Sequence, residues 1–279
     1  MFKHFTRIKQ AYKTMSTNSE APIKINFLDM PSGHRVAYER VQGSVDRPTV
    51  VYVPGFMKGK DEVMPMHLRE YCVKQNYTFV RYDPACIGDS YDDLNSIEFQ
   101  DWVENAGNVL EHLGSEENIL IGSSMGAWIS LWLGTQKLYQ EKIKGMLLIA
   151  PAVNVLRIYY ADRYKELPKD AQEALDRGEI YRIQDESGMT PLKKTFAENS
   201  AKFELDFSQP IQIECPIKIL HGVADEVIPY TSSLRIMEKV VSKELELIYR
   251  KQAEHRLDDE KSLKSLEFYI EKLVQEIKT

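Results

Sequence analysis

Asn118-Ile119-Leu120-Ile121-Gly122-Ser123-Ser124-Met125-Gly126-Ala127-Trp128 is the stretch whose reading decides the fold. Ile119 to Ile121 is an apolar run of the kind that forms a buried strand. Gly122-Ser123-Ser124-Met125-Gly126 follows as a G-x-S-x-G turn, and Trp128 to Leu133 then reads as a helix. A strand that turns sharply into a helix forces strained backbone angles on the central serine and lifts its hydroxyl clear of the sheet. Gly122 and Gly126 lack Cβ atoms, so strand and helix can approach closely around Ser124. On its own the pattern is weak, because a serine in a glycine-rich turn is usually a turn residue.

The chain on either side strengthens it. Thr49 to Val53 is an apolar strand that ends in Pro54-Gly55-Phe56-Met57-Lys58-Gly59. Tyr77 to Tyr82, Lys144 to Ala150, Pro216 to Gly222 and Glu244 to Tyr249 read as further strands, and residues 23–29 and 34–41 as a leading pair. Helices are expected over 61–75, 96–113, 231–241 and 259–277. The first places Val63, Met66 and Tyr71 on one side. The alternation predicts a parallel sheet with helices on both faces. From Ala152 to about Pro210 charged and aromatic residues rise and clear strand runs disappear. Helices around 161–165 and 170–177 predict a helical insertion over the carboxyl edge of the sheet, where it would act as a lid.

Two further residues match the serine. Asp225 follows the strand that ends at Gly222, with Glu226 as the substitute if the register slips by one. His255 lies in the short loop between the last strand and the last helix. Of the other histidines, His221 ends a buried run and reads as a packed supporting residue, His112 sits on a helix, and His34 and His67 have surface-like contexts. The order Ser124, Asp225, His255 is the order of the α/β-hydrolase arrangement. His255 would take the proton of Ser124 Oγ, and Asp225 would hold the imidazole in the correct tautomer. The oxyanion-hole donors would be the backbone amides of Phe56 and Met125. The ordinary alternatives are a turn role for Asp225 and a solvated loop for His255.

The chain has 279 residues, 43% of them hydrophobic, and a net charge of −6, which predicts one large globular domain from residue 23 to the end. That charge offers no basic footprint for nucleic acid, and no apolar run approaches the length that spans a bilayer. The three cysteines form no C-x-x-C and suit a reducing compartment. No metal-ligand spacing appears among the histidines, and no cofactor is expected. Residues 1–22 have no acid before Glu20 and mix Lys3, Arg7, Lys9 and Lys13 with hydroxylated and apolar residues. That is the composition of a mitochondrial transit peptide, with a disordered basic tail on a cytoplasmic protein as the alternative.

From about residue 23 the chain resembles the α/β-hydrolase domain-containing protein 10 family. The resemblance rests on Pro54-Gly-Phe-Met-Lys-Gly-Lys60, Phe79-Val-Arg-Tyr-Asp83, Ile121-Gly-Ser-Ser-Met-Gly-Ala-Trp128, Tyr181-Arg-Ile-Gln184, Cys215-Pro-Ile-Lys-Ile-Leu-His-Gly222, Tyr249-Arg-Lys251 and His255-Arg256. It implies a mitochondrial serine hydrolase that removes palmitoyl groups from protein cysteines and hydrolyses acyl glucuronides. Its substrates would be S-acylated proteins or small acyl esters, and its nucleophile, acid and base fall on Ser124, Asp225 and His255. Met125 and Ala127 depart from the family's Leu and Gly, and the loop Asp83 to Gly88 differs as well. A general carboxylesterase and a catalytically silent binding protein on the same fold are the competing expectations. Arg182, or another basic residue of the insertion, is expected to meet an anionic part of the substrate.

Overall fold

The computed structural model describes residues 23–185 and 188–277. The expected transit peptide at residues 1–22 lies outside the described residues. Strands β1 (Asn26–Asp29), β2 (Arg35–Val41) and β3 (Thr49–Val53) come first, followed by helix α1 (Val63–Lys74) and β4 (Phe79–Tyr82). Next are α2 (Phe99–Leu113), β5 (Asn118–Ser123), α3 (Met125–Thr135), the one-turn α4 (Lys137–Gln140) and β6 (Ile143–Ile149). Then come α5 (Leu156–Glu166), α6 (Lys169–Asp176), β7 (Tyr181–Asp185), β8 (Gly188–Leu192) and α7 (Lys194–Asn199). The chain closes with β9 (Ile217–Gly222), α8 (Ser232–Lys239), β10 (Leu245–Arg250) and α9 (Glu260–Ile277).

Eight strands form one sheet in the order β1-β2-β4-β3-β5-β6-β9-β10. The pairs β1–β2 and β2–β4 are antiparallel, and every other pair is parallel. A parallel strand covered by helices on both faces must be apolar on both sides. β3 shows this: Val50 and Tyr52 join the α1–α9 side of the core, while Val51 and Val53 join the α2–α3 side. Ile119 and Ile121 of β5 face α1 and α9, and Leu120 faces α2 and α3. The expected side of α1 is corrected: Met64, Leu68, Tyr71 and Cys72 are buried, whereas Val63 and Met66 are only half-buried.

Between β6 and β9 the chain leaves the sheet. The expectation of no strands there is wrong, because β7 and β8 pair as an antiparallel hairpin. Its strands are partly solvated, so they carry no continuous apolar run, only the alternation of half-buried Tyr181 and Ile183 with exposed Arg182 and Gln184. The later part of this segment is fastened to the main body. Lys193 Nζ donates to the carbonyls of Asn95 and Ile97, Trp128 Nε1 to the carbonyl of Phe203, and the Gln100 amide to Asn199 Oδ1. Phe196 and Phe203 pack with Phe99 and Trp102 or Trp132 at 5.0–5.9 Å between ring centroids.

Candidate active site

Four segments meet at the carboxyl edge of the sheet: the loop after β3, the turn between β5 and α3, and the loops after β9 and β10. The β5–α3 turn is built as the glycine pattern requires. Ser124 sits at φ 54°, ψ −117°, a backbone state that L residues occupy only under constraint. The constraint is crowding. A Cβ placed on Gly126 would lie 2.1 Å from the Val53 carbonyl oxygen, and one on Gly122 would lie 2.6 Å from Ala127 Cα. The backbone of Ser124 is held on both sides, its amide donating to Ile149 O at 2.7 Å and its carbonyl accepting from Ala127 and Ala152.

The loop after β3 comes against this turn. A Cβ on Gly55 would meet Ser124 Cβ at 3.3 Å, so the segment that begins at Phe56 passes beside the serine. Lys58 closes the loop by donating its amide to Gly55 O at 3.1 Å, with Met57 at φ 54°. Among the described residues, the amides of Phe56 and Met125 donate no backbone hydrogen bond. An unpartnered backbone N–H can donate a hydrogen bond to developing negative charge, and that of Met125 opens α3.

The loops after β9 and β10 are stitched together by the Val223 amide on Arg250 O and the Ala224 amide on Ala253 O. This brings the three predicted residues into one hydrogen-bonded line. His255 Nε2 lies 3.0 Å from Ser124 Oγ, and His255 Nδ1 lies 2.7 Å from Asp225 Oδ2. Asp225 Oδ1 accepts from the amides of Val227 and Ile228 at 2.9 and 2.8 Å. Burial works against the charged carboxylate. Hydrogen bonds from His221 and His255, the charge of His255 and the Ile228 amide outweigh it and hold Asp225 well below the usual carboxylate range. Glu226, the register substitute, is exposed, and Asp225 is the partner of His255. Arg182 lies exposed in β7, opposite Pro191.

A nucleophile, a base and an orienting acid within hydrogen-bond reach, beside a pair of free amides, form an arrangement suited to acyl transfer. A model described as "alpha/beta hydrolase fold" matches residues 48–177. The solved structure of mouse α/β hydrolase domain-containing protein 10 superposes with a TM-score of 0.78 at 25% identity, covering 90% of this chain and 98% of that one. This chain has the α/β-hydrolase fold. Within the α/β-hydrolases, the curated mouse protein "Palmitoyl-protein thioesterase ABHD10, mitochondrial" is 26% identical over 258 residues, 91% of this chain and 84% of that protein. The resemblance read from the motifs therefore holds across nearly the whole chain, and the name of this relative carries the mitochondrial location expected from the sequence. A putative hydrolase from Agrobacterium vitis shares the fold at a TM-score of 0.80 and 22% identity, over 91% of this chain and all 100% of that one.

A buried charged cluster behind the Phe56 loop has no counterpart in the sequence reading. Lys60, 1% exposed, places Nζ within 3.0 Å of Asp61, Asp83 and Asp89. Beside it, Glu39 accepts from both Arg69 and Arg81, and Arg81 reaches Asp61 Oδ1 at 3.0 Å. Burial pulls the Lys60 ammonium down. The hydrogen bonds to Asp89, Asp61 and Asp83 outweigh it and hold the group above the ordinary lysine value. Lys and Asp in loops read as solvated charge, so the one signal for the cluster was the Gly-Phe-Met-Lys-Gly-Lys run itself.

Proposed function

We propose that this α/β-hydrolase is a serine hydrolase that cleaves acyl thioesters, removing palmitoyl groups from protein cysteines through an acyl-enzyme. The observation that carries the reading is the line from Asp225 through His255 to Ser124 Oγ, with the unpartnered Phe56 and Met125 amides beside it. Ser124 Oγ attacks the acyl carbon and its proton passes to His255 Nε2. The carbonyl oxygen becomes an oxyanion between the two amides, worth about 3–4 kcal/mol per donor. The carbon–sulfur bond then breaks, His255 returns the proton to the departing thiolate, and the acyl group stays on Ser124. Water attacks the ester with His255 as base, and the fatty acid leaves as Ser124 recovers its proton. Asp225 orients the imidazole throughout and stabilises its cationic form. All the groups come from the chain, so the mechanism needs no cofactor.

The half-buried apolar side chains of Phe56 and Met57, which follow Gly55 beside the serine, suit an acyl chain. The thioester substrate comes from the relatives named palmitoyl-protein thioesterase. Acyl glucuronides are a second substrate class, supported by the sequence resemblance, with Arg182 as the side chain to meet the sugar carboxylate. Residues 152–210 are proposed to be the lid.

Hydrolysis of a palmitoyl-cysteine peptide and of an acyl glucuronide, wild type beside Ser124→Ala, tests the proposal. Loss of about 10⁵-fold or more in kcat for both substrates is expected. Turnover retained in Ser124→Ala, or a wild type inert toward both, would move the silent binding protein ahead. A preference for short oxygen esters over both would favour a general carboxylesterase.

A further inference from the structure

Asp225 has a second histidine. His221, the penultimate residue of β9 and of that strand's pairing with β10, is fully buried. Its Nε2 lies 3.0 Å from Asp225 Oδ2, the oxygen that His255 Nδ1 also approaches, and 3.2 Å from the carbonyl oxygen of Ile228. Its Nδ1 lies 2.7 Å from Ser233 Oγ, at the start of α8. These neighbours assign the tautomer. Nε2 faces a carboxylate and a carbonyl, both acceptors only, so it carries a proton. Nδ1 faces a hydroxyl that can donate, so it offers its lone pair in the neutral ring. Asp225 Oδ2 is thus shared between two imidazole N–H groups, one on the ring whose other nitrogen faces Ser124 Oγ and one on a ring that faces only Ser233.

The charged and titratable groups around the pair come from three sides. The β9–α8 loop brings Asp225 itself, with Glu226 exposed beyond it, and α8 brings only the Ser233 hydroxyl. The loop after β10 brings His255, with exposed Glu254 and half-buried Arg256, which is engaged with Asp258 and Glu62. Tyr249 of β10, paired in register with His221, donates to Tyr230 O. No other charged group touches the Asp225–His221 pair among the described residues.

We infer that His221 is a positioning residue for the reaction: it fixes Asp225 Oδ2 for His255 and takes up part of its charge, so that His255 is free to act as a base at lower pH. The inference rests on the proposed Ser124–His255–Asp225 reading. A hydrogen bond to a carboxylate draws off charge that would otherwise favour the imidazolium of the partner histidine. Without it, Oδ2 keeps His255 as its one donor while Oδ1 keeps the Val227 and Ile228 amides, and His255 is expected to hold its proton to higher pH.

The test pairs two variants. Gln at 221 carries an amide N–H near the place of Nε2 and keeps the donor to Asp225. Asn at 221 ends near the place of Nδ1, keeping a polar group for Ser233 and removing the donor. The readout is the pH profile of kcat/KM with a palmitoyl-thioester substrate. His221→Asn is expected to move the acid limb up by about one pH unit, which is about tenfold in kcat/KM on that limb. His221→Gln is expected to leave it near the wild-type position. The folded fraction of each variant is measured by circular dichroism at every pH and kcat/KM is taken per folded enzyme, so acid unfolding is not read as a moved limb. An unmoved limb in His221→Asn, with activity reduced equally at all pH values, would make His221 merely structural and overturn the inference. Fluorophosphonate labelling at alkaline pH separates this from failure of the underlying reading: Ser124 labelled in both variants keeps the triad standing, while a wild type that does not label sinks both.

Discussion

Asp83 holds Lys60 at two points, accepting the Lys60 backbone amide on Oδ1 at 2.7 Å and lying 3.0 Å from Nζ through Oδ2. Both residues are buried, and Gly59 and Gly88 leave room for that carboxylate, since a Cβ on either would come within 2.2–2.3 Å of it. The contact fastens the loop that starts at Gly55 to the end of β4, and so fixes where the Phe56 amide points. Asp83→Ala should cost about 2–4 kcal/mol, because it strands a buried amide and one contact of a buried ammonium. Denaturant unfolding measures the stability. In the folded fraction kcat should fall more than KM rises, as expected when a donor to the transition state is displaced.

Phe56 also reaches the insertion. Its ring packs 5.9 Å from Phe196 and 5.7 Å from Trp102, centroid to centroid. The loop with the proposed oxyanion donor and the proposed lid therefore share one aromatic contact. Phe196→Ala should cost about 3–5 kcal/mol of stability. It should weaken KM for a palmitoyl thioester more than for an acetyl thioester, and steady-state kinetics with both substrates check this.

Ser124 carries its hydroxyl at a backbone cost. At φ 54°, ψ −117° a residue with a Cβ is strained by about 1–3 kcal/mol. Ser124→Gly should remove that strain at a smaller cost in chain entropy, so the inactive variant should unfold at a temperature equal to or above that of the wild type. A Gly variant that melts several degrees lower would show that the turn is not strained.

The depressed Asp225 carboxylate gives stability a pH dependence of definite sign. A group whose folded pKa lies below its unfolded value stabilises the fold fully above the unfolded value, about 3.9 for Asp, and loses that contribution as pH falls toward the folded value. Asp225→Asn lacks this contribution. The part of the stability gap between wild type and Asp225→Asn that comes from the carboxylate should thus be fully present above about pH 4 and shrink below it. Urea titrations across that range measure it. In the same variant kcat should fall about 10⁴-fold, because Asn no longer holds the imidazole in the needed tautomer.

What the sequence made legible follows the physics of each signal. Thr49–Val53 and Asn118–Ser123 are strands buried on both faces, and continuous β-branched and aliphatic runs announce such strands. The order Ser124, Asp225, His255 was readable because each residue follows a strand end. The β7–β8 hairpin was not readable, since it pairs over a half-solvated surface and includes Pro191, which cannot donate to a ladder. His34 was read as a surface residue, yet it is half-buried between Asp92 and Asp101. The Lys60–Asp83 and Arg81–Glu39 contacts join segments far apart in the chain, and beyond the Gly-Phe-Met-Lys-Gly-Lys run no local pattern marks the charges that are buried.

The central claim is that Ser124 is an activated nucleophile, and the most direct measurement is labelling with a fluorophosphonate followed by peptide mapping. The account predicts a single adduct on Ser124 in the wild type, blocked by a palmitoyl-thioester peptide, and none in Ser124→Ala or His255→Ala. A folded wild type that stays unlabelled, or an adduct that persists when Ser124 is replaced, would contradict it.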